Sequence, residues 1–267
     1  LFLGSEVTLG VITGVTLSLR RKPQAEAHSA FFCTTMPQGF EAQREIVQQG
    51  WLPPVMRQYD AMEANRLFPD QARSDRGLFI AVHEGPTAHV NAEKQAVADI
   101  RATTGPEHAP AAVVCKSLHD RNHVPGWESF LRNGIVLDTI EISSTWDTIA
   151  EIYDEATHDL KQIPGVLAGT AHSSHVYRSG LNLYFTFAAR PEDSAQMADT
   201  YRACWNAVLQ ATSRNGGGIA HHHGIGRVRR DHLEQELGPE GVKLLRTVKH
   251  ALDPDGIMNP GVLIPNA

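Results

Sequence analysis

Three consecutive histidines, His221 to His223, stand between a triple glycine (Gly216 to Gly218) and a second pair, Gly224 and Gly226. Glycine accepts positive φ and lets backbone pass close to a ligand. Histidine titrates nearest neutrality of all side chains. The stretch Ile219-Ala-His-His-His-Gly-Ile-Gly-Arg227 is therefore expected to be a loop that sets imidazoles against something small, a catalytic or substrate-binding element. The competing reading is a metal site. If the segment were extended, His221 and His223 would share one face and His222 would point away. Zinc would still need further ligands, and the chain has neither Cys-x-x-Cys nor His-Glu-x-x-His. No resident metal is expected.

Around this loop, strand-like and helix-like segments alternate. Strands are expected over 27–35, 78–83, 135–143, 166–175 and 181–188. Helices are expected over 37–49, 87–103, 127–132, 146–162 and 191–214, with short ones over 229–236 and 239–252. In the helix over 146–162, Ile149, Ile152, Tyr153, Ala156 and Leu160 form one apolar stripe. Pro37 sits in the first turn of its helix and Gly50 follows its end. With no glycine-rich nucleotide fingerprint and no short repeat, the pattern predicts an α+β fold, an antiparallel sheet covered by helices.

The chain has 267 residues, 42% of them apolar, enough for one large domain or two small ones. A formal charge of −6 argues against nucleic acid as the main partner. Three widely spaced cysteines, Cys33, Cys115 and Cys204, suit reduced thiols in the cytoplasm. No run of 18 apolar residues occurs, so no transmembrane helix is expected. The segment Thr8 to Leu19 is rich in β-branched residues and reads as a strand. A strand so near the start, with nothing before it to pair with, reads as the inside of a longer protein.

Three separated segments carry a resemblance: Gly4-Ser-Glu-Val-Thr-Leu-Gly-Val-Ile-Thr13, His223-Gly-Ile-Gly226 and Leu252-Asp-Pro-Asp-Gly-Ile-Met-Asn-Pro-Gly261. Together they resemble the flavin oxidases of the vanillyl-alcohol oxidase type, the FAD-linked oxidase C-terminal family. The resemblance implies that residues 1–22 end an FAD-binding domain, 23–225 form a substrate (cap) domain, and 226–267 return to the flavin domain. FAD is the implied cofactor, contacted by Glu6, Val7, Thr8, Leu9, Gly10, Val11 and Ile12. Without the rest of a flavin domain, residues 1–267 are expected to bind FAD weakly or not at all and to be inactive alone. Val7 stands where the family has glycine; a β-branched residue there would strain a loop that needs positive φ.

Within that family the triple histidine is similar to that of the alkyldihydroxyacetonephosphate synthases. The similarity implies exchange of the acyl group of acyl-dihydroxyacetone phosphate for a fatty alcohol, with no net redox change, in ether-lipid synthesis. It implies Tyr184, His221, His222 and His223 as catalytic residues, and Arg132 and, less securely matched, Arg57 as substrate-binding residues. A lipid-like, phosphorylated small molecule is the implied substrate, with peripheral membrane contact and a homodimer as further expectations. The residue types suit this chemistry: an imidazole or tyrosinate can take a proton, and an arginine fork suits phosphate. Arg227, Arg229 and Arg230 could add positive potential or simply begin a solvated basic helix. Two other functions stay open: a FAD-linked dehydrogenase or oxidase of a hydroxy acid or alcohol, and a non-catalytic cap that binds a ligand or metal. His172 and His175 lie where metal-dependent hydroxyacid dehydrogenases carry His-x-Gly-Asp-x-Asn, but the Gly-Asp-x-Asn part is missing. The tail Ile264-Pro-Asn-Ala267 is not a peroxisomal Ser-Lys-Leu signal.

Overall fold

The fold is that of a computed structural model, which describes residues 1–71, 73–122 and 126–264. The end of the tail, residues 265–267, lies outside the described residues.

Seven strands form one sheet: β1 (Ala25–Cys33), β2 (Val55–Tyr59), β3 (Gly77–Gly85), β4 (Glu107–His108), β5 (Val136–Thr145), β6 (Val166–Ser173) and β7 (Gly180–Ala189). Their order is β4-β1-β3-β2-β6-β7-β5, and each neighbouring pair is antiparallel. The helices are α1 (Met36–Gln48), α2 (Ala61–Leu67), α3 (Thr87–Thr104), α4 (Ala112–Asp120), α5 (Trp127–Arg132), α6 (Ile149–Gln162), α7 (Met197–Arg214) and α8 (Leu233–Leu252). The α+β architecture matches the sequence expectation.

Strand–helix–strand–strand–helix runs twice along the chain, as β1-α1-β2-β3-α3 (with α2 between β2 and β3) and as β5-α6-β6-β7-α7. The two halves meet where β2 pairs with β6 through only Gln58↔Ser173 and Tyr59↔His172. Buried polar groups close this narrow seam. Gln43 Nε2 donates to Gln58 Oε1, Gln58 Nε2 donates to the Met36 carbonyl, and Ser173 Oγ donates to Gln43 Oε1. The Asp60 carboxylate caps α2 at Glu63 N and also accepts from Ala171 N. Every member is satisfied, as a buried network must be.

Period-two alternation explains the layers. In β7, Leu181, Leu183, Phe185, Phe187 and Ala189 are buried in one core with Ile149, Ile152, Leu160, Val208 and Leu209 of α6 and α7. Asn182, Tyr184 and Thr186 therefore face the other way. The first half uses both faces: Phe31 and Phe79 pack against Val97 and Ile100 of α3, and Phe32, Leu78 and Ile80 pack against Val113 and Val114 of α4. The other face of the second half is not covered by α6 or α7; Glu63 of α2 reaches it at Thr170 and His172.

Two expectations need correction. Residues 10–23 form no regular strand, and Val11, Ile12, Val15, Leu17 and Leu19 are exposed. A strand needs a hydrogen-bonded neighbour to persist in water, and the described residues supply none there. The two short terminal helices are present as expected: α8 is interrupted by non-helical Gly238 (φ 68°) ahead of Pro239. Strands β2 and β4 and helices α2 and α4 were not foreseen. Cys33, Cys115 and Cys204 are all free. Among the described residues, no helix is long and apolar enough to cross a membrane.

Candidate functional site

On the face that α6 and α7 leave uncovered, one row of side chains crosses four strands in register: Glu141↔Tyr184 (β5–β7), His172↔Tyr184 (β6–β7) and Tyr59↔His172 (β2–β6). The His172 and Tyr184 rings stack, with centroids 4.9 Å apart and planes within 10°. The histidine loop folds over the β5–β7 end of this row.

The loop is held from several sides. Gly218 and Ser143 exchange backbone hydrogen bonds of 2.8 and 2.9 Å at the end of β5. Ile219 is a fully buried plug, and its N–H donates to Glu236. Arg229, almost fully buried, donates to the carbonyls of Ile219, Gly224 and Glu141 and lies over the Trp205 ring. Glu6 closes the far end, its carboxylate accepting from Ile225 N at 2.7 Å and Gly226 N at 2.9 Å. Gly224 must be glycine: its φ is +80°, and a Cβ would sit 2.7 Å from the Glu6 carboxylate.

Glu141 is the centre of the cluster. It is fully buried, and Oε2 accepts from His222 N and His223 N at 2.9 and 3.0 Å. Its Oε1 accepts from Asn182 Nδ2 at 2.8 Å, lies 3.3 Å from His221 Nδ1 and pairs with His222 Nδ1. Burial alone would raise its pKa; the His222 N–H, Asn182 and the His223 N–H together hold it below the usual carboxylate value.

The Tyr184 hydroxyl lies 3.0 Å from His222 Nε2 and 2.5 Å from His223 Nε2. Burial, reinforced by the Glu141 charge, pushes its pKa up to about 12, against the pull of Arg57 and Arg229. Burial also lowers the pKa of His223. Near pH 7 the pair is a neutral phenol beside a neutral imidazole. One phenolic proton can serve only one imidazole, so the other imidazole must donate to the phenol oxygen. The arrangement is a short proton chain with an opening to solvent.

The structure brings Tyr184, His221, His222 and His223 together as the sequence expects. Arg57 projects from the same face of β2 as Tyr59, and its charge acts on His175 and Tyr184. Arg132 is not brought to the cluster: it ends α5, exposed, paired with Glu128 at 2.7 Å. The segment Glu6 to Ile12 reaches the histidine loop through the Glu6 clamp. Thr8 is buried and donates to the Ser5 carbonyl, whereas Val7, Val11 and Ile12 are exposed. Val7 does adopt φ +65°, the conformation for which glycine would be expected. Leu9 and Gly10 lie between, Gly10 at φ +153°. Lys249 and Asn259 tie the C-terminal part to this segment by donating to the Thr8 and Glu6 carbonyls.

Sequence reasoning missed Glu141, Asn182, Tyr177 and the role of Arg229. A signal for Glu141 existed: one acid between Ile140 and Ile142 in an alternating strand. The pairing of His221 with His223 is also corrected. The segment is a turn-rich loop, and His221 and His222 converge instead, Nδ1 to Nδ1 at 2.9 Å.

Fold and site together define an α+β domain that sets a phenol–imidazole cluster against one face of its sheet. The chain belongs to the family described as FAD linked oxidases, C-terminal domain, which matches residues 22–263. FAD is the cofactor that membership implies. It is 28% identical to the FAD-linked oxidoreductase YgcU of Escherichia coli K12, over 99% of this chain and 57% of that one. It is 25% identical to alkyldihydroxyacetonephosphate synthase of Dictyostelium discoideum (99% and 48% covered) and 26% identical to mitochondrial D-2-hydroxyglutarate dehydrogenase of Danio rerio (100% and 50%). In fold it is similar to a solved alkyldihydroxyacetonephosphate synthase, at a TM-score of 0.71 and 22% identity, covering 97% of this chain and 49% of that one. A 4-ethylphenol oxidase from Gulosibacter chungangensis gives 0.64 at 14% identity, covering 90% and 54%. The chain spans about half the length of the curated relatives it matches.

Proposed function

We propose that this chain is the substrate-side half of a FAD-dependent enzyme that exchanges the acyl group of acyl-dihydroxyacetone phosphate for a fatty alcohol. The observation that carries the reading is the Tyr184 hydroxyl held between His222 Nε2 and His223 Nε2. A proton can leave a substrate carbon to this pair because the neutral His223 imidazole takes the phenolic proton as Tyr184 gains another, His223 becoming the imidazolium. The Glu6 clamp fits the cofactor assignment, because it brings the loop segment with positive φ at Glu6 and Val7 alongside the histidines.

When bound, FAD supplies the electron-accepting ring beside which the substrate carbon reacts. The chain's own residues do the rest. Arg57 attracts the substrate phosphate on the Tyr184 face of the sheet. Tyr184 Oη takes the proton from the substrate carbon as its own passes to His223 Nε2. The fatty-acid carboxylate leaves with the electron pair of the broken C–O bond. The alcohol oxygen forms the new C–O bond and its proton goes to the leaving carboxylate, while the proton held on His223 returns through Tyr184 to the substrate carbon, which regains its hydrogen. Electrons balance without an external acceptor. The substrate's aliphatic chain makes contact with a membrane surface a natural route of supply.

The second reading is a dehydrogenase or oxidase of a hydroxy acid, and the D-2-hydroxyglutarate dehydrogenase relative favours it. Two assays separate the readings. The visible spectrum of the purified chain, before and after FAD and desalting, tells whether it holds flavin alone; a colourless chain is expected. The chain joined to a flavin-binding half is then given labelled fatty alcohol and acyl-dihydroxyacetone phosphate under anaerobic conditions. Label in an ether product without an electron acceptor supports exchange. Flavin bleaching by D-2-hydroxy acids, with no labelled ether, overturns it.

A further inference from the structure

We infer that Glu141, His175, His221 and His222 form a divalent-cation site, fitted best by zinc, at the back of the Tyr184–His223 pair. The inference is independent of the exchange reaction. One ligand atom from each of the four residues can be chosen so that all lie within 4.8 Å of one another. His221 Nδ1 and His222 Nδ1 face each other at 2.9 Å, and both approach Glu141 Oε1. Three acceptor-capable atoms so close together need a shared cation or shared protons.

The outer partners choose between these. His221 Nε2 lies 2.7 Å from Tyr177 Oη, and His222 Nε2 lies 3.0 Å from Tyr184 Oη. His175 Nδ1 lies 3.0 Å from Ser174 Oγ, which leaves its Nε2 for the centre. Each imidazole therefore has a hydroxyl on one nitrogen and the common centre on the other. That is the outer arrangement by which metal-bound histidines are oriented. Glu141 is equally prepared, fixed by Asn182 and two backbone N–H groups before any ion arrives. Three imidazole nitrogens and one carboxylate suit a first-row divalent ion, zinc above magnesium or calcium. Tetrahedral zinc at about 2.0–2.2 Å from each ligand sets ligand atoms roughly 3.3 Å apart; His221 Nδ1 lies 2.9 Å from His222 Nδ1 and 3.3 Å from Glu141 Oε1, and the tighter His222 Nδ1–Glu141 Oε1 contact would have to open to admit the ion.

The ion would also set the direction of the proton chain. With Nδ1 on the metal, His222 carries its proton on Nε2 and donates to Tyr184. Tyr184 must then donate to His223, which becomes the terminal base. His223 is outside the ligand set.

The test is zinc chloride titrated into the EDTA-stripped 267-residue chain by calorimetry, with metal counted by mass spectrometry after desalting. Cobalt(II) gives an independent readout through its tetrahedral visible bands. Wild type should hold one equivalent. His175→Ala, which leaves the loop's backbone anchors intact, should weaken binding by about 10- to 100-fold or more and abolish the cobalt bands. Glu141→Gln should do the same, with thermal melting as a check on folding, and His223→Ala should keep one equivalent. No uptake by wild type, uptake undiminished in His175→Ala, or loss in His223→Ala equal to that in His175→Ala would each overturn the site.

Discussion

The Glu141 carboxylate accepts the main-chain N–H of His222 at 2.9 Å while it also pairs with the same residue's Nδ1. One buried charge therefore fixes both the backbone and the ring of a residue 81 positions away. A loop so rich in glycine would otherwise sample many conformations. The mid-strand acid does for this loop what a cap does for a helix, and it explains how three adjacent imidazoles are kept apart in role. His223 is turned to the phenol, His221 to Tyr177, and His222 is held between Glu141 and Tyr184.

Arg229 is the opposite charge in the same frame. It makes three bonds to backbone carbonyls and stacks on Trp205, so it is neither a solvated helix start nor a phosphate ligand. Arg229→Met should cost about 3 kcal/mol, since it leaves buried carbonyls unsatisfied. Arg229→Lys should lose most of the same, because one ammonium cannot reproduce the fork. Urea unfolding midpoints check this; a lysine variant as stable as wild type would mean that charge alone matters.

Val7 stands at φ +65° with its side chain about half exposed. The left-handed conformation costs a non-glycine residue about 1–2 kcal/mol, while glycine adds unfolded-state entropy of about 0.5–1 kcal/mol. Little apolar burial is lost on truncation. Val7→Gly should therefore leave stability unchanged or raise it by up to about 1 kcal/mol. Thermal melting of the two chains decides, and a clear loss of stability would mean that Val7 packs against something that matters.

His83 is completely buried on β3, bonded to Glu93 of α3 at 2.8 Å and to Ser29 of β1 at 3.0 Å. Burial is the main cause that lowers its pKa, and Lys94 and His28 add to it, against the raising effect of Glu93. The unfolded chain therefore binds a proton here at a higher pH than the folded one does. Stability from this group is complete above about pH 6.5, the ordinary histidine value, and falls as pH drops below it. His83→Gln should reduce the loss of unfolding free energy between pH 7.5 and pH 5.5. Identical slopes in wild type and variant would exclude His83 as the source.

The strands of the second half were legible because their alternation is clean: Ile140 and Ile142 go in, and Leu181, Leu183 and Phe185 go in. α6 showed its stripe for the same reason. Strand β2 was hidden because Val55-Met-Arg-Gln-Tyr59 follows two prolines and puts polar Gln58 on the buried side, where only a long-range partner network can satisfy it. The catalytic candidates Tyr184 and His221 to His223 were legible as a motif. Their frame was not, since Glu141 and Arg229 act through contacts with residues distant in sequence or with backbone carbonyls that carry no residue signature. Arg132 is a separate case. A local motif match proposed it, while α5 holds it on the surface against Glu128.

Tyr184→Phe removes one oxygen from the centre of the site. The ring still stacks on His172 and still sits in β7 between strands that do not need the hydroxyl. The fold should stay within about 1 kcal/mol of wild type, the scale of one partly exposed hydrogen bond. The chemistry should not survive as well. Without Oη, His223 Nε2 has no link to the substrate carbon or to His222, and general acid–base catalysis of this kind contributes about 10²- to 10⁴-fold. In the flavin-complete enzyme, exchange should therefore fall by about that factor while the melting temperature hardly moves. A fall in both would make Tyr184 a structural residue. Turnover at the wild-type rate would remove it from the mechanism and leave His223 to act on the substrate directly.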